Sequence, residues 1–156
     1  MGLPQLEGLI HYSFGLAPVD VNGAANSDII NTQLYDRIDF VVVCGVLGGA
    51  ITLTVEECDD TTPSNSTAIA FDYKKTTAAS GDTFGAVTAA TTSGITIAGT
   101  DDGKTFIIMT RAAELTEDFP YVRVVLSDPS AESFVCIVPV GYGARLMQDV
   151  MPTALT

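Results

Sequence analysis

Phe40-Val41-Val42-Val43-Cys44-Gly45-Val46-Leu47-Gly48-Gly49-Ala50-Ile51-Thr52-Leu53-Thr54-Val55 is a run without a single charge, and its reading decides the fold. A membrane-spanning helix needs ~20 apolar residues; this run is shorter, and Gly45, Gly48 and Gly49 interrupt it. Its second half alternates. Ile51, Leu53 and Val55 fall on one face of a period of two, and Thr52, Thr54 and Glu56 fall on the other. Two strands joined by a Gly-rich turn account for the run, and no membrane segment is expected.

The same signature recurs along the chain. Segments rich in Val, Ile, Thr, Phe or Tyr, bounded by Gly, Pro, Asp or Ser, lie at Arg37–Cys44, Ala50–Cys58, Ser66–Tyr73, Thr83–Thr88, Ile95–Ala98, Thr105–Arg111, Tyr121–Ser127 and Phe134–Val140. Tyr121–Val125 is apolar on both faces apart from Arg123, as in a central strand or a sheet face covered by a partner. In the Ala/Thr/Gly-rich stretch 76–100, Phe84, Val87, Ile95 and Ile97 are expected to hold the segment in the fold. Helical periodicity is almost absent. The expectation is an all-β fold, an antiparallel β-sandwich or jelly-roll-like barrel of about eight strands.

Residues 1–35 read differently. Pro4, Gly8, Gly15, Pro18, Asn22-Gly23 and Asn26 break any period, so the segment is expected to be an extended N-terminal arm with one short strand. Its apolar residues, among them Leu6, Ile10, Tyr12 and Phe14, are too many for a solvated tail. After the β-sandwich domain, 36–140, a C-terminal tail, 141–156, carries Arg145, Leu146, Met147, Val150 and Met151. The arm is expected to lie on its own domain or on a neighbouring subunit. The tail either closes over the core's own edge or makes a subunit or capsid contact, for which flexible Met side chains are suited. Arm and tail are the candidate interface. Met1-Gly2-Leu3-Pro4 lacks the basic region of a signal peptide.

Composition narrows the function. The 156 residues suffice for one domain, 47% are apolar and only 17% charged, so the chain can bury a core. Asp and Glu number 19 against 7 Lys and Arg, giving a formal charge of −12. Nucleic acid and anionic membrane surfaces are poor partners for such a chain, since both are bound through clustered cations. The one histidine, His11, leaves little room for acid–base or zinc chemistry.

Each candidate for chemistry has a plainer explanation. Cys44, Cys58 and Cys136 lack metal or disulfide spacing; Cys44 and Cys136 read as buried thiols, Cys58 as more exposed among acids. Asp59-Asp60 and Asp101-Asp102-Gly103 are read as hairpin turns rather than calcium loops, because neither has the ligand spacing. Glu56 and Glu57 point to opposite faces and cannot act as paired catalytic acids; Glu56 is expected to face solvent, while Glu57 has core-facing parity at a strand end where it can turn outward. His11 with Ser13 or Cys44 lacks a nucleophile elbow, and Gly141-Tyr142-Gly143 lacks the third glycine of a dinucleotide loop. No enzyme, metal or cofactor is expected. Arg37, Arg111, Arg123 and Arg145 stand singly in an acidic chain, and each is expected to pair with a carboxylate.

The run Tyr35–Gly45 followed by Ala50–Asp60, the late Tyr121–Leu126 and the ending from Gly143 to Leu155 resemble small β-rich proteins encoded in the head gene clusters of tailed bacteriophages, usually head decoration or cement proteins. The resemblance implies a structural virion protein that stabilises the capsid from outside. It would be made in the bacterial cytoplasm, bind the major capsid protein of an expanded shell, and sit as a homotrimer at three-fold positions. It carries no catalytic or ligand-binding motif. Two rivals remain: another virion β protein of the neck, tail tube or fibre base, and a glycan- or receptor-binding β-sandwich.

Overall fold

The computed structural model describes residues 10–145. Thirteen strands run in chain order: β1 Ile10–Tyr12, β2 Leu16–Asp20, β3 Ala25–Asn26, β4 Ile30–Asn31, β5 Tyr35–Leu47, β6 Ile51–Cys58, β7 Ser66–Ile69, β8 Phe71–Lys75, β9 Thr88–Ala90, β10 Ile95–Ile97, β11 Thr105–Arg111, β12 Tyr121–Leu126 and β13 Ser133–Ala144. A 3-10 turn at Ala112–Glu114 follows β11.

The strands form two antiparallel sheets packed as a sandwich. The seven-stranded sheet runs β1-β13-β5-β11-β8-β9, with β2 also on β13. The six-stranded sheet runs β10-β6-β12-β3, with β7 also on β6 and β4 also on β12. Most connections carry the chain from one sheet to the other; β6–β7 and β8–β9 are the hairpins between paired neighbours. The core lies between the sheets. Ile38, Phe40 and Val42 of β5, Phe106 and Ile108 of β11, and Val135 and Ile137 of β13 meet Ile51, Leu53 and Val55 of β6 and Val122, Val124 and Leu126 of β12. All are buried, as period-two strands with one face inward require.

The opening run divides as expected, but its halves belong to opposite sheets. β5 ends at Leu47, and Gly48-Gly49-Ala50 carries the chain across the sandwich edge to β6. Gly49 is required there by space: a Cβ would lie 2.0 Å from the Pro129 carbonyl oxygen. β12 lies between β6 and the short strands β3 and β4; Val122, Val124 and Leu126 face the core, and Tyr121, Arg123 and Val125 are half-buried on its outer side.

Several expectations need correction. Residues 10–31 contribute four short strands, β1 and β2 on β13 and β3 and β4 on β12, where one was expected. Strands of two to five residues are too short to show a period, and Pro18 and Asn22-Gly23 break them. Ser66–Tyr73 is not one strand: Ala70 separates β7 from β8, which lie in different sheets. Thr83–Thr88 is not a strand either. Phe84 makes an isolated bridge to Thr76, β9 begins only at Thr88, and Val87 is exposed. Asp101-Asp102-Gly103 is a turn, with Gly103 at φ +66°, yet it joins strands of different sheets and is no hairpin.

Candidate interaction face

Antiparallel register puts directly opposed residues on one side of a sheet. With Phe40 and Val42 facing the core, Arg37, Asp39, Val41 and Val43 of β5 lie on the outer side of the sheet. Across the seven-stranded sheet this gives outward rows of Cys136, Val43 and Thr105; of Val138, Val41, Ile107 and Lys74; and of Tyr12, Val140, Asp39, Met109 and Asp72. The next row is Ile10, Tyr142, Arg37 and Arg111. The centre of this outer face is aliphatic. Val43 is 43% exposed, Phe134 49%, Tyr12 68% and Phe14, just after β1, 55%.

Of the charges on the face, Arg37 pairs with Asp39 and Arg111 with Glu114, while the Lys74 ammonium lies 5.0 Å from the centre of the Phe84 ring. Arg37 donates Nε–H and Nη2–H hydrogen bonds of 2.6 Å to the two carboxylate oxygens of Asp39, which is buried. That contact, more than burial opposes it, raises the Arg37 pKa. The Arg37 guanidinium also lies 5.6 Å from the centre of the Tyr142 ring. Beside β13, Pro18, Val43, Gly45, Phe134 and Cys136 border an apolar cleft of about 340 Å³.

The outer face of the six-stranded sheet is different. Its rows hold Thr96, Thr52 and, nearby, Thr54 beside Val125, then Arg123 beside Glu56 and Ala68. Arg123 donates hydrogen bonds of 3.0 and 2.7 Å to Glu56. One side of the sandwich is thus a threonine-rich, ion-paired surface and the other an aliphatic one. Half-exposed aliphatic side chains grouped on one sheet face mark contact surfaces.

Of the residues singled out from sequence, Ile10 and Tyr12 lie on the aliphatic face, at its β1 edge, and Phe14 is exposed beside it. Arg145 does not join them. It follows the far end of β13, where its Nε–H donates to Asp36 at 3.2 Å. Leu6, Leu146, Met147, Val150 and Met151 lie outside the described residues. The face residues that the sequence reading missed are Val41, Val43, Ile107, Phe134, Val138 and Cys136.

The four arginines each pair with a carboxylate: Arg37 with Asp39, Arg111 with Glu114, Arg123 with Glu56 and Arg145 with Asp36. Glu56 is accordingly half-buried in its pair. Glu57 keeps its core-facing parity and is buried rather than turned outward, because Thr116 supplies two donors there. The cysteines differ from expectation at two positions. Cys44 is buried, and burial with the nearby carboxylates of Asp101 and Asp102 pushes its thiol up to about 12. Cys58 is buried as well, between β7 and β12, and burial raises its pKa. Cys136 is instead half-exposed, because its position in β13 faces outward.

The acidic turns are satisfied by the chain itself. Asp59 accepts hydrogen bonds from Asn65 and Ser64, and Asp101 from Lys75, Lys104 and the Ala98 N–H. Among the described residues no three His, Cys, Asp or Glu side chains come together in a way that could hold a metal ion. No helix among them is long and apolar enough to cross a membrane. His11 stacks on Tyr35 with ring centres 5.6 Å apart, above Gly141, where a Cβ would lie 2.8 Å from the Tyr35 ring.

No protein-family model matches the chain. No curated protein matches it either. Among solved structures, the structure of infectious bursal disease virus Gt strain aligns with a TM-score of 0.20 and 14% identity, covering 87% of this chain and 37% of that one. The present chain therefore spans well under half of that chain's length, and so low a score carries no argument.

Proposed function

We propose that this protein is a structural virion protein, a decoration or cement protein that binds the outside of a tailed-phage capsid lattice and stabilises it. The observation that carries the reading is the two-faced sandwich. One outer sheet face has an aliphatic centre with Arg37 and Arg111 held by Asp39 and Glu114, and the opposite face is threonine-rich with Arg123 paired to Glu56. A soluble module with no further contact has little reason to leave Val43, Phe134 and Tyr12 exposed on one side. A cement protein does: it must be stable by itself and also bury a face against a lattice, where repeated weak contacts add up. The charge of −12 suits a protein that stays outside the shell and away from packaged DNA. In this reading the partners are the major capsid protein and sister copies in a trimer, and the role is binding without catalysis.

Co-sedimentation tests it. Expanded shells of the major capsid protein encoded with this gene should pellet the purified protein to a saturating, lattice-limited ratio, and Val43→Asp should lower the bound fraction at least tenfold. Wild-type protein that stays in the supernatant at every ratio contradicts the reading.

A second reading draws on Tyr12, exposed at the β1 edge one row from Tyr142 and Arg37, and on the exposed Phe14 that follows it. Aromatic rings next to polar groups are the chemistry of a sugar-binding edge. A sugar-induced rise in melting temperature that Tyr12→Ala removes would favour this glycan-binding module.

A further inference from the structure

Asn22-Gly23 lies between β2 and β3, where the chain crosses from the seven-stranded sheet to the six-stranded one. The crossing is tied at both ends: the Val21 N–H donates to the Ser133 carbonyl at 2.7 Å, and Ala25 pairs with Leu126 of β12. Between the ties Asn22 is exposed, and among the described residues neither its carboxamide nor the Gly23 N–H has a hydrogen-bond partner. Gly23 stands at φ +135°, and a Cβ there would meet nothing within 4 Å. The other asparagines are held. Asn26 is in β3 opposite Val125, Oδ1 of Asn31 accepts the Gln33 N–H at 2.9 Å, and the Asn65 Nδ2–H donates to Asp59 at 2.8 Å. Ser27, Thr32 and Ser66 follow them, and a side chain at that place shields the backbone nitrogen that a glycine leaves open.

We propose that Asn22 is a site of spontaneous deamidation in the folded protein. The Gly23 backbone nitrogen, having given up its proton to solvent, attacks Cγ of Asn22. A bond forms between that nitrogen and Cγ, the bond from Cγ to the side-chain nitrogen breaks, and the nitrogen leaves as ammonia after taking a proton from solvent. Water then opens the five-membered succinimide. Attack at Cγ gives aspartate; attack at the main-chain carbonyl gives isoaspartate, whose backbone runs through the former side chain and is one methylene longer. Nothing is oxidised or reduced. Either product replaces a neutral amide by a carboxylate and adds one negative charge to a chain that already carries −12.

The fold permits this reaction at Asn22 and resists it elsewhere. Ring closure requires the carboxamide to swing onto the next backbone nitrogen while the main chain between them rotates. A glycine in an exposed crossing, free of ladder hydrogen bonds, allows that rotation. Asn26 would have to leave β3, and Asn31 and Asn65 would have to give up the hydrogen bonds of their side chains. The ties at Val21 and Ala25 hold the chain on either side of the altered bond, so the product keeps the sandwich. The reaction needs only water and stands whether or not the protein decorates a capsid.

Peptide mapping by mass spectrometry tests it on the full folded chain, held at pH 8.5 and 37 °C beside Asn22→Ser and a free peptide spanning residues 18–27. The expected result is a gain of one dalton in the fragment holding Asn22, at least tenfold faster than in fragments holding Asn26, Asn31 or Asn65. The native rate should lie within tenfold of the rate in the free peptide, since the fold does not hold the crossing. The product should separate into two species, of which the isoaspartate form accepts a methyl group from a protein isoaspartyl methyltransferase. Asn22→Ser should lose the fast phase, and the converted wild type should keep its β circular dichroism. An Asn22 slowed more than tenfold by the fold, or converting no faster than the other asparagines, overturns the proposal.

Discussion

Glu57 and Thr116, far apart in sequence, are joined by two hydrogen bonds: the Thr116 N–H donates to Oε2 of Glu57 at 2.8 Å and its hydroxyl donates to Oε1 at 2.7 Å. Glu57 is buried in β6, while Thr116 lies in the loop between β11 and β12. The pair therefore ties the crossing loop to the six-stranded sheet.

Hydrogen bonds to a charged group contribute about 1.5–3 kcal/mol each. Glu57→Ala, which removes both, is expected to lower unfolding free energy by about 3 kcal/mol in urea titration. Thr116→Val, which keeps the backbone donor, should cost roughly half as much. Equal losses in the two variants would contradict this account.

Asp101 links stability to pH. Burial works to raise its pKa, but hydrogen bonds from Lys104, Lys75 and the Ala98 N–H outweigh burial, and the net shift is downward. An unfolded aspartate titrates near pH 3.9. With the folded value lower, the stabilisation is fully present above about pH 4 and is lost as pH falls through the folded pKa. Asp59, held down chiefly by the Asn65 side chain, acts in the same direction but is exposed and contributes less. Asp101→Asn should be less stable at pH 6 and should lose less than wild type on acidification to pH 2.5. An unchanged acid-side loss in the variant would refute the assignment.

Phe40 and Phe134 separate fold from contact. Phe40 is fully buried, so Phe40→Ala should cost about 3–5 kcal/mol. Phe134 is half exposed, so Phe134→Ala should cost under about 1 kcal/mol in the isolated chain while weakening association. Similar melting shifts for both would mean that the aliphatic face belongs to the core.

The thiols should differ in reactivity. Cys44, with its pKa near 12, and Cys58, raised by burial, are expected to resist iodoacetamide at pH 8 until the protein unfolds, and Cys136 should be alkylated ahead of them. Mass spectrometry of the native protein reads this directly. Early labelling of Cys44 would contradict the packing of β5.

The strands of the core were legible because alternation survives in them. Ile51, Leu53 and Val55 and their buried neighbours in β12 follow from a period of two. The short strands on β13 and β12 were not, since a strand of two or three residues bounded by Pro or Gly has no period to read. The break at Ala70 was hidden as well, because β7 and β8 are contiguous in composition and differ only in the sheet they join. The aliphatic face left a trace that was passed over. Phe40–Val46 and Phe134–Val140 are apolar on both parities, as Tyr121–Val125 is apart from Arg123. In β5 and β13 the second apolar parity faces outward. Four of the nine interface candidates, Leu6, Ile10, Tyr12 and Phe14, came from the arm, and the sheet face itself came only from the register.

Multi-angle light scattering behind a sizing column, on wild type and Phe134→Asp side by side at two concentrations, tests the contact role of the aliphatic face most directly. The account expects the wild type at about three times the 16.3 kDa chain mass and the variant at the mass of one chain with its β circular dichroism retained. A wild type that runs as a monomer at both concentrations, or a variant that assembles as the wild type does, would contradict it.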